Sequence, residues 1–531
     1  MEDVGQKTAQ KFVIAIDVGT SGTKIGLIDL EGNVIAKASG RYNTVFLPDG
    51  GAEQDPHDWW KVVSTGVKQI VKESNVNAKD ILAIGTTSQW AVTVAVDDQG
   101  TPLLNAISWM DSRGGKYNKQ IVKGFPAIQG YNIRKLLKWI DIVGIPPFLD
   151  GADSLAHILY IKNEHPDIYN RTYKFLEPMD YINMCLTGKA CATQCSNIAC
   201  LMIDNRPNGT KDYHPWTLSI SGIDRNKLPD LQPIEGIVGT LKTEIANEWG
   251  LTPDTVVITA ATDNSVALIG SGAIEDYEAV AVLGSSGMLV FHMPDKKVDL
   301  MHSLASGPGA INGRNVFSAD TGNTCKVVDS YLYNLVYGQD EFSSNGYPDD
   351  IYTRLNHAIE HIPVGSENIL FLPWLNSGSL APAADRFLRG GFINLTNKTT
   401  RDHLARAMLE GIAYNWRWLK EAAETFTKHK FDYWRLSGGG ASSDIWSQIM
   451  ADVIGIPMHQ EDNPANNTLL GMAFLAFNRL GLMPLEVIPQ KVKTKQIFYP
   501  IHANSLVYER LYKQFRKCQK KLQPIFHSLN H

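Results

Sequence analysis

Two turns of small residues, each set between runs of β-branched side chains, recur about half a chain length apart and limit the fold more than any other feature. The first is Gly19-Thr20-Ser21-Gly22 inside FVIAIDVGTSGTKIGLIDL; the second is Gly284-Ser285-Ser286-Gly287 inside AVAVLGSSGMLVFHM. A strand, a small-residue turn and a strand in both places predict two copies of one α/β unit facing each other, rather than one large sheet. We place the division just after VVITAATD and NSVALIGSGA, giving units of residues 1–272 and 273–531.

Around the first turn, Glu31-Gly32-Asn33 marks a second tight turn and a third strand, so two hairpins follow each other. DPHDWWKVVSTGVKQIVKES then carries Trp59, Val62, Val63, Val67, Ile70 and Val71 at helical spacing, with Asp55 as the cap. ILAIGTTSQ and AVTVAV read as further strands. In the second half, HLARAMLEGIAYNWRWLKEAAE sets Leu404, Met408, Ile412 and Leu419 along one helix face. A strand, WRLSGGG, and a helix from Asp444 to Ile454 come next. The terminal YERLYKQFRKCQKKLQPIF is an amphipathic basic helix, whose charged face is read as solvated rather than as a nucleic-acid contact.

Composition narrows the class. With 531 residues, 44% apolar and 20% charged, the chain can bury substantial cores and is neither collagen, coiled coil nor disordered. A net charge of −5 offers polyanions no general attraction, so nucleic acid is not an expected partner. The opening MEDVGQKTAQK lacks the apolar core of a secretory signal, and no stretch is long and apolar enough to cross a bilayer. The expectation is a cytoplasmic protein without membrane contact. Cys185, Cys191, Cys195 and Cys200 lie close together but form no CxxC pair, so they read as small buried hydrophobes rather than metal ligands.

Three glycine turns carry the candidate chemistry. In Asp17-Val18-Gly19-Thr20-Ser21-Gly22-Thr23-Lys24, N–H groups and hydroxyls crowd a turn that can wrap phosphate oxygens, and the acid at the strand end can meet a magnesium ion or its waters. A plain hairpin turn needs glycine too, so that alternative stands. Gly284 to Gly287 can hold phosphates from the other side, and Gly438-Gly439-Gly440-Ala441-Ser442-Ser443 offers flat backbone for an adenine or ribose. None of them follows the GxxxxGK[ST] pattern. Asp263, followed by Asn264, emerges from the strand VVITAAT. A carboxylate so placed can stay ionised in a polar pocket and take a proton from a hydroxyl. Capping of the following helix by Thr262 or Asp263 is the competing reading.

In order and spacing, these residues resemble the FGGY carbohydrate kinases of the actin-like ATPase superfamily. The matching pieces are DVGTSGTK (17–24), GAEQDPHDWW (51–60), NAISWMDSRG (105–114), ATQCSNIA (192–199), TDNSVALIGSG (262–272), GSSG (284–287) and LSGGGASSDIWSQIMADVIGIP (436–457). EQDPHDWW and GGGASSDIW look closest to the xylulokinase branch. The chain departs from the family's signatures at Asn394, where glycine is usual, and at His157 and Tyr160, in the places of Lys and Trp.

The resemblance implies two ribonuclease-H-like domains, each α/β, with ATP and magnesium in the cleft between them. Asp17 would engage the magnesium shell through water. Thr20, Ser21, Thr23 and Lys24 would meet the transferring phosphate, and Asp263 would be the base. Gly284 and Ser285 would flank the other phosphates, with Gly439, Gly440 and Asp444 near the nucleoside. Glycerol kinases of the family carry an Arg-Glu pair after the glutamine at the strand end; here Gln89-Trp90 stand instead. That implies a ketopentose or polyol, D-xylulose first and ribulose among the alternatives, with Gln89, Trp90, Trp109, Asp111, Asp263 and Asn264 around it. Core packing is the other reading of the two tryptophans. An actin-like or chaperone-like ATPase and a weakly catalytic sugar sensor are the competing functions, and a homodimer is left open.

Overall fold

The computed structural model describes residues 10–338, 340–341, 346–375 and 381–530. The opening nine residues, part of the segment read above for a secretory signal, lie outside it. In the first half, β1 (Phe12–Val18), β2 (Gly22–Asp29) and β3 (Val34–Arg41) form the two expected hairpins. After a short strand, β4 (Ala52–Gln54), comes α1 (Pro56–Ser74) and then β5 (Ile81–Ser88). Helix α2 (Ile133–Ile142) belongs to an insertion. The half closes with β6 (Ile237–Thr240), β7 (Val256–Ile258), β8 (Ala261–Thr262) and α3 (Asp263–Gly270). The sheet order is β6-β7-β5-β1-β2-β3, with β8 also on β5.

The second half rebuilds this order. Its strands are β9 (Ala279–Leu283), β10 (Gly287–Met293) and β11 (Asn315–Asp320), followed by α4 (Cys325–Tyr331) and the long α5 (Arg401–Thr427). Next are β12 (Trp434–Ser437), α6 (Asp444–Ile454), β13 (Met458–Glu461), α7 (Asn467–Arg479), β14 (Thr494–Phe498) and α8 (His502–Asn530). The order β14-β13-β12-β9-β10-β11 matches the first sheet strand for strand, including antiparallel edges and parallel centre. Two short strands, Leu304–Pro308 and Val298–Asp299, extend the second sheet beyond β11.

Local physics accounts for the elements. Every residue of β1 is buried, as expected of a strand covered on both faces, whereas β3 alternates between half-buried and exposed positions because it lies at an edge. Asp55 accepts the His57 amide at 2.9 Å and Pro56 occupies the first turn of α1. Trp59, Val63, Val67 and Ile70 then face the sheet. In α5, Met408, Ile412 and Leu419 are buried, while Leu404 stays half-exposed near the helix start. The strand expected over AVTVAV is only Val94–Val96, because Ala91 takes a positive φ of 55° and turns the chain after β5. Cys191, Cys195 and Cys200 fill three different cores, with Cys185 half-buried against the first of these.

The halves exchange helices: α3 of the first sets Leu268 against Val280, Val290 and Val316 of the second sheet. α7 comes from the second half, yet Leu469, Met472, Ala473 and Phe474 pack with Val13, Ala15 and Ala83 of the first sheet. It crosses α3 at backbone contact. A Cβ on Gly471 would overlap the Val266 carbonyl, and one on Gly270 the Asn467 carbonyl.

Candidate active site

Strand register brings the first glycine turn and Asp263 to one end of one sheet. Asp17 pairs across β1 and β5 with Thr87, and Thr87 pairs with Ala261 of β8; one step on, Val18, Ser88 and Thr262 align. With about 4.8 Å between neighbouring strands, the turn after Val18 and the carboxylate after Thr262 leave the sheet two strands apart. Thr262 makes no side-chain cap, which removes that competing reading for it. Asp263 accepts the Asn264 amide at 2.7 Å through Oδ1. Burial, and then the charge of Asp17, push its carboxyl up to about 7, at the edge of ionisation rather than firmly ionised.

The turn itself is held from several directions. The Gly19 amide donates to the Gly22 carbonyl at 3.0 Å. Burial also raises the pKa of Asp17, opposed by a 2.6 Å hydrogen bond from the Thr468 hydroxyl of α7 and by the charge of Lys24. Ser21 and Lys24 are exposed, and the Lys24 ammonium donates to the Ala465 carbonyl at 3.3 Å. Thr23, expected to meet phosphate, is buried on the inner face of β2 and donates to the Tyr42 hydroxyl at 3.4 Å. Alternation along the strand turns it inward and Lys24 outward.

The other two turns meet each other. β9 and β12 are parallel neighbours, with Val282 opposite Ser437. The carbonyls of Gly284 and Ser285 accept the amides of Cys325 and Lys326 at 3.0 Å each, tying the second turn to the start of α4. The third turn is not the flat backbone expected. Gly438, at φ 83°, swings the chain into a single 3-10 turn over Gly439–Ser442. A Cβ there would come within 2.8 Å of the Leu283 carbonyl, whereas Gly439 faces open space. Asp444 begins α6, and its carboxylate accepts Gln460 at 2.9 Å and Lys495 at 3.1 Å. Asn467 joins the regions: its amide donates to Ser271 and Ser437 at 2.9 Å each, next to the Thr468 that bonds Asp17.

On the acceptor side, Gln89 is buried and its backbone N–H donates to the Val18 carbonyl at 2.9 Å. Trp90 stands edge-on to Phe148 with ring centroids 6.3 Å apart. Trp109 is 42% exposed, so it is no core residue, and its indole N–H donates to the Thr20 hydroxyl at 3.3 Å. Asp111 is buried and engaged by the Ala52 amide at 2.9 Å and by Arg113 at 2.7 Å. Arg113 also bonds Glu53 at 2.7 Å and lies over the Tyr160 ring at 4.5 Å. The tyrosine that departs from the family signature thus shelters this cluster. His157 is buried beside Thr93, and its burial pushes the pKa down to about 4, so it is neutral. Residues that sequence reasoning missed are Gln54, Thr468, Tyr42 and Arg113; Gln54 and Arg113 carried a signal, through their places in EQDP and NAISWMDSRG.

The domain model described as "FGGY family of carbohydrate kinases, N-terminal domain" matches residues 12–270, and its C-terminal counterpart matches 280–479. The chain belongs to the FGGY family of carbohydrate kinases. Members of this family use ATP as a substrate, and this FGGY kinase is a phosphotransferase with an alcohol acceptor. It is 28% identical over 527 residues to a xylulose kinase of Staphylococcus epidermidis, covering 97% of this chain and 98% of that one. It is 26% identical to a gluconokinase of Bacillus licheniformis, covering 87% of each. Its fold overlays a gluconate kinase from Lactobacillus acidophilus with a TM-score of 0.84 at 25% identity, over 98% of this chain and 100% of the other. No helix among the described residues is long and apolar enough to cross a membrane.

Proposed function

We propose that the protein moves the γ-phosphoryl group of ATP onto a hydroxyl of D-xylulose or a related ketopentose or polyol, with Asp263 as general base. The observation that carries this reading is the emergence of Asp17 and Asp263 at the same end of the first sheet, two strands apart, beside the first glycine turn. The acceptor's hydroxyl proton passes to the Asp263 carboxylate. The oxygen of that acceptor hydroxyl bonds the γ-phosphorus in line with the departing ADP oxygen, which keeps the electron pair of the broken P–O bond. Exposed Ser21 and Lys24, with the backbone of Thr20, suit phosphate oxygens; Gly284, Ser285 and open Gly439 suit the rest of the nucleotide, with Gly440 packed behind them against Trp446 and Leu283.

Magnesium fits the donor set, because a buried carboxylate facing a second carboxylate is a pair of hard oxygen donors with excess negative charge. Asp17 would hold it through water, and when bound it neutralises charge on the transferring phosphates. We place the division between the halves after Gly272 and the nucleotide between them. Six free cysteines suit a reducing, cytoplasmic compartment.

The xylulose kinase relative and the lack of an Arg-Glu pair after Gln89 support a ketopentose over glycerol. ADP release with D-xylulose, D-ribulose, gluconate and glycerol tests this: we expect D-xylulose to lead, and activity confined to gluconate or glycerol would overturn it. Asp263→Asn should lower turnover by about 10²–10⁴-fold while ATP still binds. Unchanged phosphorylation in that variant would remove Asp263 from the mechanism.

A further inference from the structure

The EQDP segment matches the family, yet nothing in the proposed chemistry uses it. Three of its residues have plain structural duties. Glu53 bonds Arg113, Asp55 caps α1, and Pro56 starts that helix. Gln54 does something different. It is 1% exposed, and its amide nitrogen donates to the Thr20 carbonyl at 2.7 Å and to the Thr44 hydroxyl at 2.8 Å. Its amide oxygen accepts the side-chain amide of Gln89 at 2.9 Å.

The orientation of this chain of amides is dictated by its far end. A backbone carbonyl can only accept, so Gln54 must turn its nitrogen to Thr20 and its oxygen to Gln89, and Gln89 must answer with nitrogen. The same turn residue is pinned a second time from the acceptor side, where Trp109 donates to its hydroxyl. The two clamps move together, because β4 pairs Gln54 with Ala106, three residues before Trp109. Thr20 therefore has its carbonyl and its hydroxyl fastened to segments that flank the acceptor pocket, rather than to the nucleotide side.

We propose that Gln54 is a positioning residue that transmits occupancy of the acceptor site to the first glycine turn, so that the turn reaches its phosphate-holding shape when Gln89 and Trp109 are set by a bound sugar. This rests on reading that turn as the phosphate loop and Asp263 as the base. The amide is required. A carboxylate keeps an acceptor for Gln89 but has no hydrogen for the Thr20 carbonyl unless it is protonated.

That asymmetry supplies the test. In Gln54→Glu near pH 8, the stimulation of ATP cleavage by D-xylulose and kcat should each fall at least tenfold, with KM for the sugar within about threefold of the parent. As the pH is lowered toward about 6, the ratio of variant to parent kcat should recover, because a buried carboxyl is readily protonated and then donates to Thr20. Gln54→Met should show the loss at both pH values without recovery. If either substitution fails to fold, Gln54→Asn, which keeps the amide but shortens its reach to the Thr20 carbonyl, should show the same loss at both pH values. Parent-like stimulation and kcat in these variants, with only a lower melting temperature, would make Gln54 a packing residue and overturn the proposal. Failure of the underlying reading would look different: Asp263→Asn would then keep its activity, whereas failure of the relay alone leaves Asp263→Asn inactive and Gln54→Glu active.

Discussion

At the scale of single residues, two buried acids have opposite consequences for pH. Asp263 acts as a base only when ionised, and burial together with the Asp17 charge lifts its pKa to about 7. The acceptor kcat/KM of the free enzyme should therefore rise with pH along a limb centred near 7. A profile flat from about pH 6 to about pH 8 would contradict that assignment. Glu177, which accepts Ser154 and the Val92 amide, is pushed up to about 8 by burial from an ordinary 4.5. Its native form binds the proton more tightly than the unfolded chain does. Its contribution to stability is therefore fully present below about 4.5 and is lost as pH rises through about 8. Glu177→Gln, neutral at every pH, should flatten the decline of melting temperature over that window. Because the native carboxyl is itself neutral below about 8, the amide should cost less than about 1 kcal/mol there. A decline as steep as the parent's would show that other groups cause it.

At the scale of elements, the crossing of α3 and α7 matters most. Asp263 begins α3, and Thr468, near the start of α7, holds Asp17, so this one helix pair sets the spacing of the two carboxylates. Glycine at 270 and 471 lets the two backbones touch. Gly471→Ala forces a methyl into the Val266 carbonyl and must part the helices, at about 1–3 kcal/mol or more of stability. Because the displaced elements carry Asp17's partner and the base, catalytic loss should exceed what the fraction unfolded explains. Denaturant melts combined with turnover per folded molecule measure both, and a fully active, fully stable variant would refute the close crossing.

Across the whole molecule, the two sheets of equal order are joined by more than α7. Lys296, just beyond β10, reaches the last carbonyls of α2 in the other half: Ile140 at 3.4 Å, Ile142 at 3.3 Å, and Asp141 between them. An ammonium there answers the partial negative charge at a helix C-terminus. Gly144, at φ 101°, leaves room for the lysine stem. Lys296→Met should weaken this tie by about 1 kcal/mol and broaden the calorimetric unfolding transition as the halves lose cooperativity. An unaltered transition would mean that the contact contributes nothing to the union of the halves.

Much of this was legible from residue order. The repeat at Gly19 and Gly284, the two hairpins, the Asp55 cap and the helix from Asp444 to Ile454 follow from turn chemistry and periodicity, which are local and therefore written in adjacent residues. The place of Asp263 at a strand end was equally readable. Contacts between distant segments were not. Thr468 meets Asp17 across 451 positions, and Gln54 meets Thr20 across 34, because strand order and one close helix crossing carry them together. Nor could spacing reveal that Thr23 turns inward, or that the third glycine turn winds up instead of lying flat. Those outcomes depend on which face a neighbouring element covers, and on the space that a Cβ would have to share with another backbone. Such quantities exist only once the chain has packed.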